Sequence, residues 1–170
     1  ELERRGGTVY SVEAYMGVMR NTPKASEQLD YAQKLLSLNG LTTEQQEEAR
    51  YYRAKASLEK KDKTQAESDL KELTKNVKSL FGAKAAVELG ELYLADARLS
   101  DAESLLVEFT DEGTPHQYWL ARGFIVLADV YAAQGKTSLA KEYVKSLRDN
   151  YPGSEPDIHD MINQRLKNYK

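Results

Sequence analysis

Apolar residues recur at three and four positions through most of the chain, and strand-like alternation is rare. That spacing is the helical period, so the pattern predicts an all-α protein. Only four prolines interrupt it. Three of them follow a hydroxyl closely, as Thr22-Pro23, Thr114-Pro115 and Ser154 with Pro156, which predicts helix starts there. Thr42 with Gln45, Ser100 with Glu103 and Thr114 with Gln117 have capping-box spacing. Gly40, Gly113 and Gly135 stand where helices should stop in a left-handed turn. The punctuation predicts about eight short helices and a terminal one.

Comparing the chain with itself adds a repeat. Ala66–Leu73 and Ala102–Phe109 agree at five of eight positions with an offset of 36. A third copy, 38 further on, places Ala140, Val144 and Leu147 at the small residue and the two leucines. About a dozen residues upstream of two copies lie Leu89-Gly90-Glu91-Leu92-Tyr93 and Leu127-Ala128-Asp129-Val130-Tyr131. A large residue, a small one and an aromatic three later make a helix face suited to close packing. One helix pair leaves an apolar face exposed, so such units stack.

Residues 121–154 resemble a tetratricopeptide repeat through Phe124, Leu127, Ala128, Tyr131, Gly135, Ala140, Val144, Leu147 and Pro152. Residues 83–116 are similar to it through Leu89, Gly90, Tyr93, Ala102, Leu106 and Phe109, with Ala97 replacing the turn glycine. Residues 47–80 keep Ala54, Ala66, Leu70 and Leu73 but carry Arg50, Arg53 and Ser57 at positions usually apolar or aromatic. A unit at about 9–40 is carried by Tyr15, Met16, Met19, Leu29, Ala32 and Leu35, with Gln28 in place of the small residue. The stretch Asn150–Ser154 and the following helix resemble the Tol-Pal coordinator and outer-membrane assembly lipoprotein branch of that family, and large repeat proteins of Bacteroidetes.

The resemblance implies one repeat domain over 1–170: a right-handed α-α superhelix of about four helix pairs, with a capping helix near 155–168. It implies a non-enzymatic scaffold that holds a protein or peptide partner in a concave groove lined by the first helix of each pair. By the repeat register the groove residues are Arg20, Tyr51, Lys55, Lys84, Glu91, Arg122 and Asp129. The branch implies a periplasmic or outer-membrane-associated place in the bacterial envelope. A spacer or self-associating segment of a longer repeat protein is the alternative, its faces meeting further repeats or a second copy. Glu1 in place of methionine predicts a processed protein or a fragment.

Composition narrows the partners. The 24 basic and 27 acidic residues nearly cancel, and no run of five like charges occurs. That balance argues against a nucleic-acid or anionic-membrane ligand. No apolar run approaches the roughly 20 residues of a membrane span, so no membrane insertion is expected. With no cysteine, thiol catalysis and thiolate metal sites are excluded.

Gly135-Lys136-Thr137 looks like the end of a phosphate-binding loop, and Phe124–Asp129 like the strand before it. The motif needs a glycine five residues before the Gly-Lys pair, where Val130 stands, so a repeat turn is expected instead. His116 and His159 lack a third strong ligand in sequence and predict no metal site. The carboxylates lie in charged helical or turn context, no serine stands in a nucleophile elbow, and no cofactor is expected. Trp119 opens a helix that the 38-residue spacing should lengthen by about one turn, and is expected in the seam between repeats. Of the adjacent pair Tyr51-Tyr52, about 100° apart on a helix, one is expected inside and one outside.

Overall fold

The computed structural model of the chain describes the backbone of residues 2–169 and the side chains of residues 11–169. The described residues form nine α-helices and one short 3-10 helix, with no strand. Two compact units divide at Leu73–Thr74. The first holds α1 (Leu2–Asn21), α2 (Ala25–Leu36), α3 (Thr43–Glu59) and α4 (Lys63–Leu73). Each helix packs on the next, and α1 also touches α3. The second begins with the 3-10 turn Thr74–Asn76 and continues with α5 (Leu80–Ala95), α6 (Leu99–Glu112), α7 (Gln117–Ala133), α8 (Thr137–Asn150) and α9 (Pro156–Asn168). Here α5 packs on both α6 and α7, and α7 on both α8 and α9.

The caps explain where helices begin, and they correct several sequence expectations. Thr42 and Gln45 form the full capping box expected of them, so two otherwise orphaned amides at the start of α3 are satisfied. The proline starts are displaced. Thr22 and Thr114 accept from the amides of Lys24 and His116, two residues on, and α2 and α7 begin only after those residues. Both hydroxyls build the turn that leads into the helix. At α9, Pro156 takes the first helical position and Glu155, not Ser154, is the cap. Ser100 lies inside α6, which starts at Leu99, so the Ser100–Glu103 box does not form. Gln117 donates to the carbonyl of Thr114 rather than closing a box. The extra residues before α7 do not lengthen it by a turn: it has 17 residues against 16 in α5.

Three inter-helix turns are built alike. Lys61, Ala97 and Gly135 all have positive φ, at 65°, 58° and 80°. Each donates its amide three residues back, and the next residue donates five back: Lys61 to Leu58 and Asp62 to Ser57, Ala97 to Leu94 and Arg98 to Tyr93, Gly135 to Ala132 and Lys136 to Tyr131. These paired bonds are the Schellman motif, which satisfies the last carbonyls of a helix. The turns are offset by 36 and 38, as are Ala66, Ala102 and Ala140, all fully buried. The apparent phosphate loop is therefore the third copy of a turn. Its lysine is engaged, with Nζ 5.4 Å from the Tyr131 ring and 3.7 Å from Glu103.

The cores follow from the same register. In the first unit Met16, Met19, Ala32, Leu35 and Ala49 are all but inaccessible, and Gln28, which replaces the small residue, reaches the carbonyl of Met19. In the second unit Phe109 and Leu106 of α6 are buried against glycines of the first helices. A Cβ at Gly123 would lie 2.6 Å from the Phe109 ring, and one at Gly90 2.9 Å from the methyls of Leu106. Bare backbone at these two positions is what lets the helices approach.

Candidate binding face

Five of the seven expected groove residues, Lys55, Lys84, Glu91, Arg122 and Asp129, fall in two rows under the 36 and 38 offsets, and Glu48, outside that expectation, completes one of them. Glu48, Lys84 and Arg122 are counterparts, and so are Lys55, Glu91 and Asp129. Every member of both rows is charged, on the first helices α3, α5 and α7. Charge kept at the same place on a first helix marks a side of that helix left partly in water.

In the second unit the rows join adjacent first helices. Arg122 of α7 donates to Glu91 of α5 at 2.8 Å, and also to the hydroxyl of Tyr118 one turn earlier. Tyr118 in turn donates to Asp157 of α9 at 2.6 Å. Burial opposes the charge on Arg122, but the bonds it donates to Tyr118 and Glu91 outweigh it and its pKa moves up. Asp157, as acceptor, raises the pKa of Tyr118. Lys84 places its ammonium 5.3 Å from the Phe81 ring and 5.5 Å from Trp119, while Arg122 lies 5.9 Å from Trp119 on the same ring system. Trp119 is half-buried and takes Lys84 of α5, as a residue in the seam between helix pairs would.

Asp129 has its partners on α9 and at the residue that follows it. Arg165 grips it with Nε at 3.0 Å and Nη2 at 2.7 Å, and the hydroxyl of Tyr169 donates to the same carboxylate. Burial first, and then this bond, push the Tyr169 pKa up. Arg165, absent from the expected set, lies 36 residues after Asp129 and so repeats the internal offset.

Within the first unit, Arg20 of α1 holds Glu48 of α3 through two bonds of 2.6 Å. The bond to Glu48 raises the Arg20 pKa. Lys55 is exposed. Tyr51 is only 9% exposed and turns into the core, as its counterparts Val87 and Ile125 do, while Tyr52 is half-buried. Of the seven expected groove residues, Tyr51 thus offers a partner almost no surface.

The largest feature missed from sequence is Asp69 on α4, with no exposed surface. Arg53 meets it through bonds of 2.7 and 2.8 Å, Arg50 at 3.3 Å and Gln65 at 3.0 Å. Asp69 thereby accounts for the two arginines that break the repeat pattern in α3. The bonds to Asp69 raise the Arg53 pKa against its burial.

Comparison with protein-family models, with curated proteins and with solved structures finds no match. The chemistry of the face therefore rests on its own geometry. Its ion pairs are half-exposed, with Glu91 and Arg122 side chains 44% and 21% accessible. Pairs of that kind contribute about 0.2–1 kcal/mol, so a partner's charges can exchange with them at little cost. Among the described residues, no three His, Asp or Glu side chains gather as a metal site, and His159 sits beside the carbonyl of Gly153.

Proposed function

We propose that the chain is a tetratricopeptide-type repeat protein whose helix pairs continue as a right-handed superhelix. On this reading it is a non-enzymatic scaffold that binds a protein or peptide partner on the face of its first helices. The observation that carries the reading is the charge repeated at one register on the first helices α5 and α7 of the second unit, Lys84 with Arg122 and Glu91 with Asp129, alongside the Schellman turns. Mixed sign along the rows favours a partner segment that itself carries both charges. The resemblance at Asn150–Ser154 extends the proposal to assembly in the bacterial envelope.

A random-peptide display selection on the intact chain tests it. Selected peptides should lose roughly tenfold or more in affinity when Glu91→Arg and Arg122→Glu are combined. That exchange keeps the internal ion pair while inverting both charges. Failure to select any peptide, or equal binding by the exchanged protein, would overturn the assignment. Light scattering without partner separates the alternative, because a self-associating segment gains mass with concentration.

A further inference from the structure

The charged face of the second unit has an order as well as a composition. Every charged side chain of α5 (Lys84, Glu88 and Glu91) and of α7 (Arg122 and Asp129) falls on one stripe of its helix, no more than about 60° wide. On both helices the base comes first and an acid follows seven residues later, two turns or roughly 10 Å along the axis. One turn before the two bases stand Leu80 and Tyr118. Leu80, 39% accessible, is the one exposed large apolar side chain among the described residues.

The chain itself shows which helix answers that order. α9 lies beside α7 and runs the same way, since Asp157 near its start takes the hydroxyl of Tyr118 near the start of α7, and Arg165 further on holds Asp129. On α9 the acid comes first and the base eight residues later, the reverse of α7. Arg122 joins the same contact, because it donates to the Tyr118 hydroxyl that donates to Asp157. Helices side by side rise equally per residue, so opposite orders bring unlike charges together at both ends. α5 presents the order of α7, with Glu91 still 44% accessible.

We propose that the partner segment is a helix lying along α5 and α7 in their direction, with an apolar residue, an acid four positions later and a base seven beyond that. This rests on the charged-face reading and gives the partner's chemistry. The apolar residue covers Leu80, the acid meets Lys84 and Arg122, and the base meets Glu91. Burial of Leu80 supplies attraction, and the two charges fix direction and register. A segment of one sign throughout would meet a like charge at one end.

The test uses the intact protein in low salt and alanine-rich helical peptides stapled on the far side, with affinity read by fluorescence anisotropy. The parent peptide carries leucine, glutamate four positions later and lysine seven beyond that. A second peptide of equal composition brings the lysine to four positions after the glutamate, and a third reverses the order. The parent should bind about fivefold more tightly than either, the scale of two surface charge pairs. Leu80→Ser should weaken the parent severalfold, leave a peptide with alanine at the leucine unaffected, and preserve the helical melt. Equal or tighter binding of the shortened or reversed peptide, indifference of the parent to Leu80→Ser, or no binding of the parent would overturn the proposal. Display-selected peptides that lose affinity on the Glu91 and Arg122 exchange but lack this spacing would overturn it alone and leave the charged-face reading standing.

Discussion

One place in the repeat is filled in opposite ways in the two units. In the first it holds Arg50, Arg53, Ser57 and Asp69. In the second, 36 and then 74 residues on, it holds Ala86, Leu89, Tyr93 and Leu105, and again Phe124, Leu127, Tyr131 and Tyr143. The apolar versions pack by contact: Tyr143 meets Tyr131 with ring centres 5.2 Å apart and Phe124 at 6.2 Å. The polar version packs by a buried carboxylate held between two guanidinium groups and an amide. Equal backbones thus tolerate either solution, but the polar one is correct only when all its members are present.

The largest effect should come from breaking that network. Asp69→Ala leaves Arg50 and Arg53 facing an empty, buried acceptor site, and should cost about 3 kcal/mol in urea denaturation. The arginines keep some contact with water, which holds the cost below that of a fully buried pair. A loss under about 1 kcal/mol would place Asp69 among ordinary surface charges.

Next in size is the close approach in the apolar unit. Gly123→Ala drives a methyl group into the Phe109 ring and should destabilise by about 2 kcal/mol. Gly90→Ala meets the movable methyls of Leu106 and should cost less than half of that. Equal costs would show that the helices do not depend on the ring contact.

The apolar unit should also be the more sensitive to alkali. Burial, and then the bond with Tyr143, push the Tyr131 pKa up to about 12. The unfolded phenol near 10 loses its proton first, so the stability this group contributes is complete below about pH 10 and is lost as pH rises toward 12. Tyr131→Phe should remove a loss on the order of 2 kcal/mol across that window. An unchanged alkaline profile would count against the buried hydroxyl.

The smallest effects belong to the shared turns. Lys61→Gly and Ala97→Gly relieve side chains held at positive φ and should each stabilise by about 0.5–1 kcal/mol. Gly135→Ala imposes the same strain and should cost about 1 kcal/mol. Destabilisation by both glycine substitutions would break the equivalence of the three turns.

The sequence made most of the fold legible because its signals are local. Helical period, the Thr42–Gln45 box and the 36 and 38 offsets all act within one or two helices. The proline starts slipped by one or two residues because a hydroxyl before proline can build a turn as readily as a cap. The charged rows were legible through Lys55, Glu91 and Asp129, which share a register position. Their partners were not, since Arg122 finds Glu91, and Arg165 finds Asp129, only once the first helices lie side by side. Asp69 stood in plain sight opposite Leu105 and Tyr143, but a carboxylate inside a core has meaning only with its arginines in place. Tyr51 is expected in the groove by repeat register, but Val87 and Ile125 at its register position are core residues and Tyr51 is buried with them.

If the helix pairs of both units are copies of one packing unit, side chains that fill one should fill the other. Transplanting the apolar solution tests it directly: Arg50→Phe, Arg53→Leu, Ser57→Tyr and Asp69→Tyr together, followed by urea denaturation. The variant should be a cooperative helical protein at least as stable as the parent, since a buried ionic cluster replaced by well-packed apolar residues is neutral or gains about 1–4 kcal/mol. A loss as large as that of Asp69→Ala alone would contradict it.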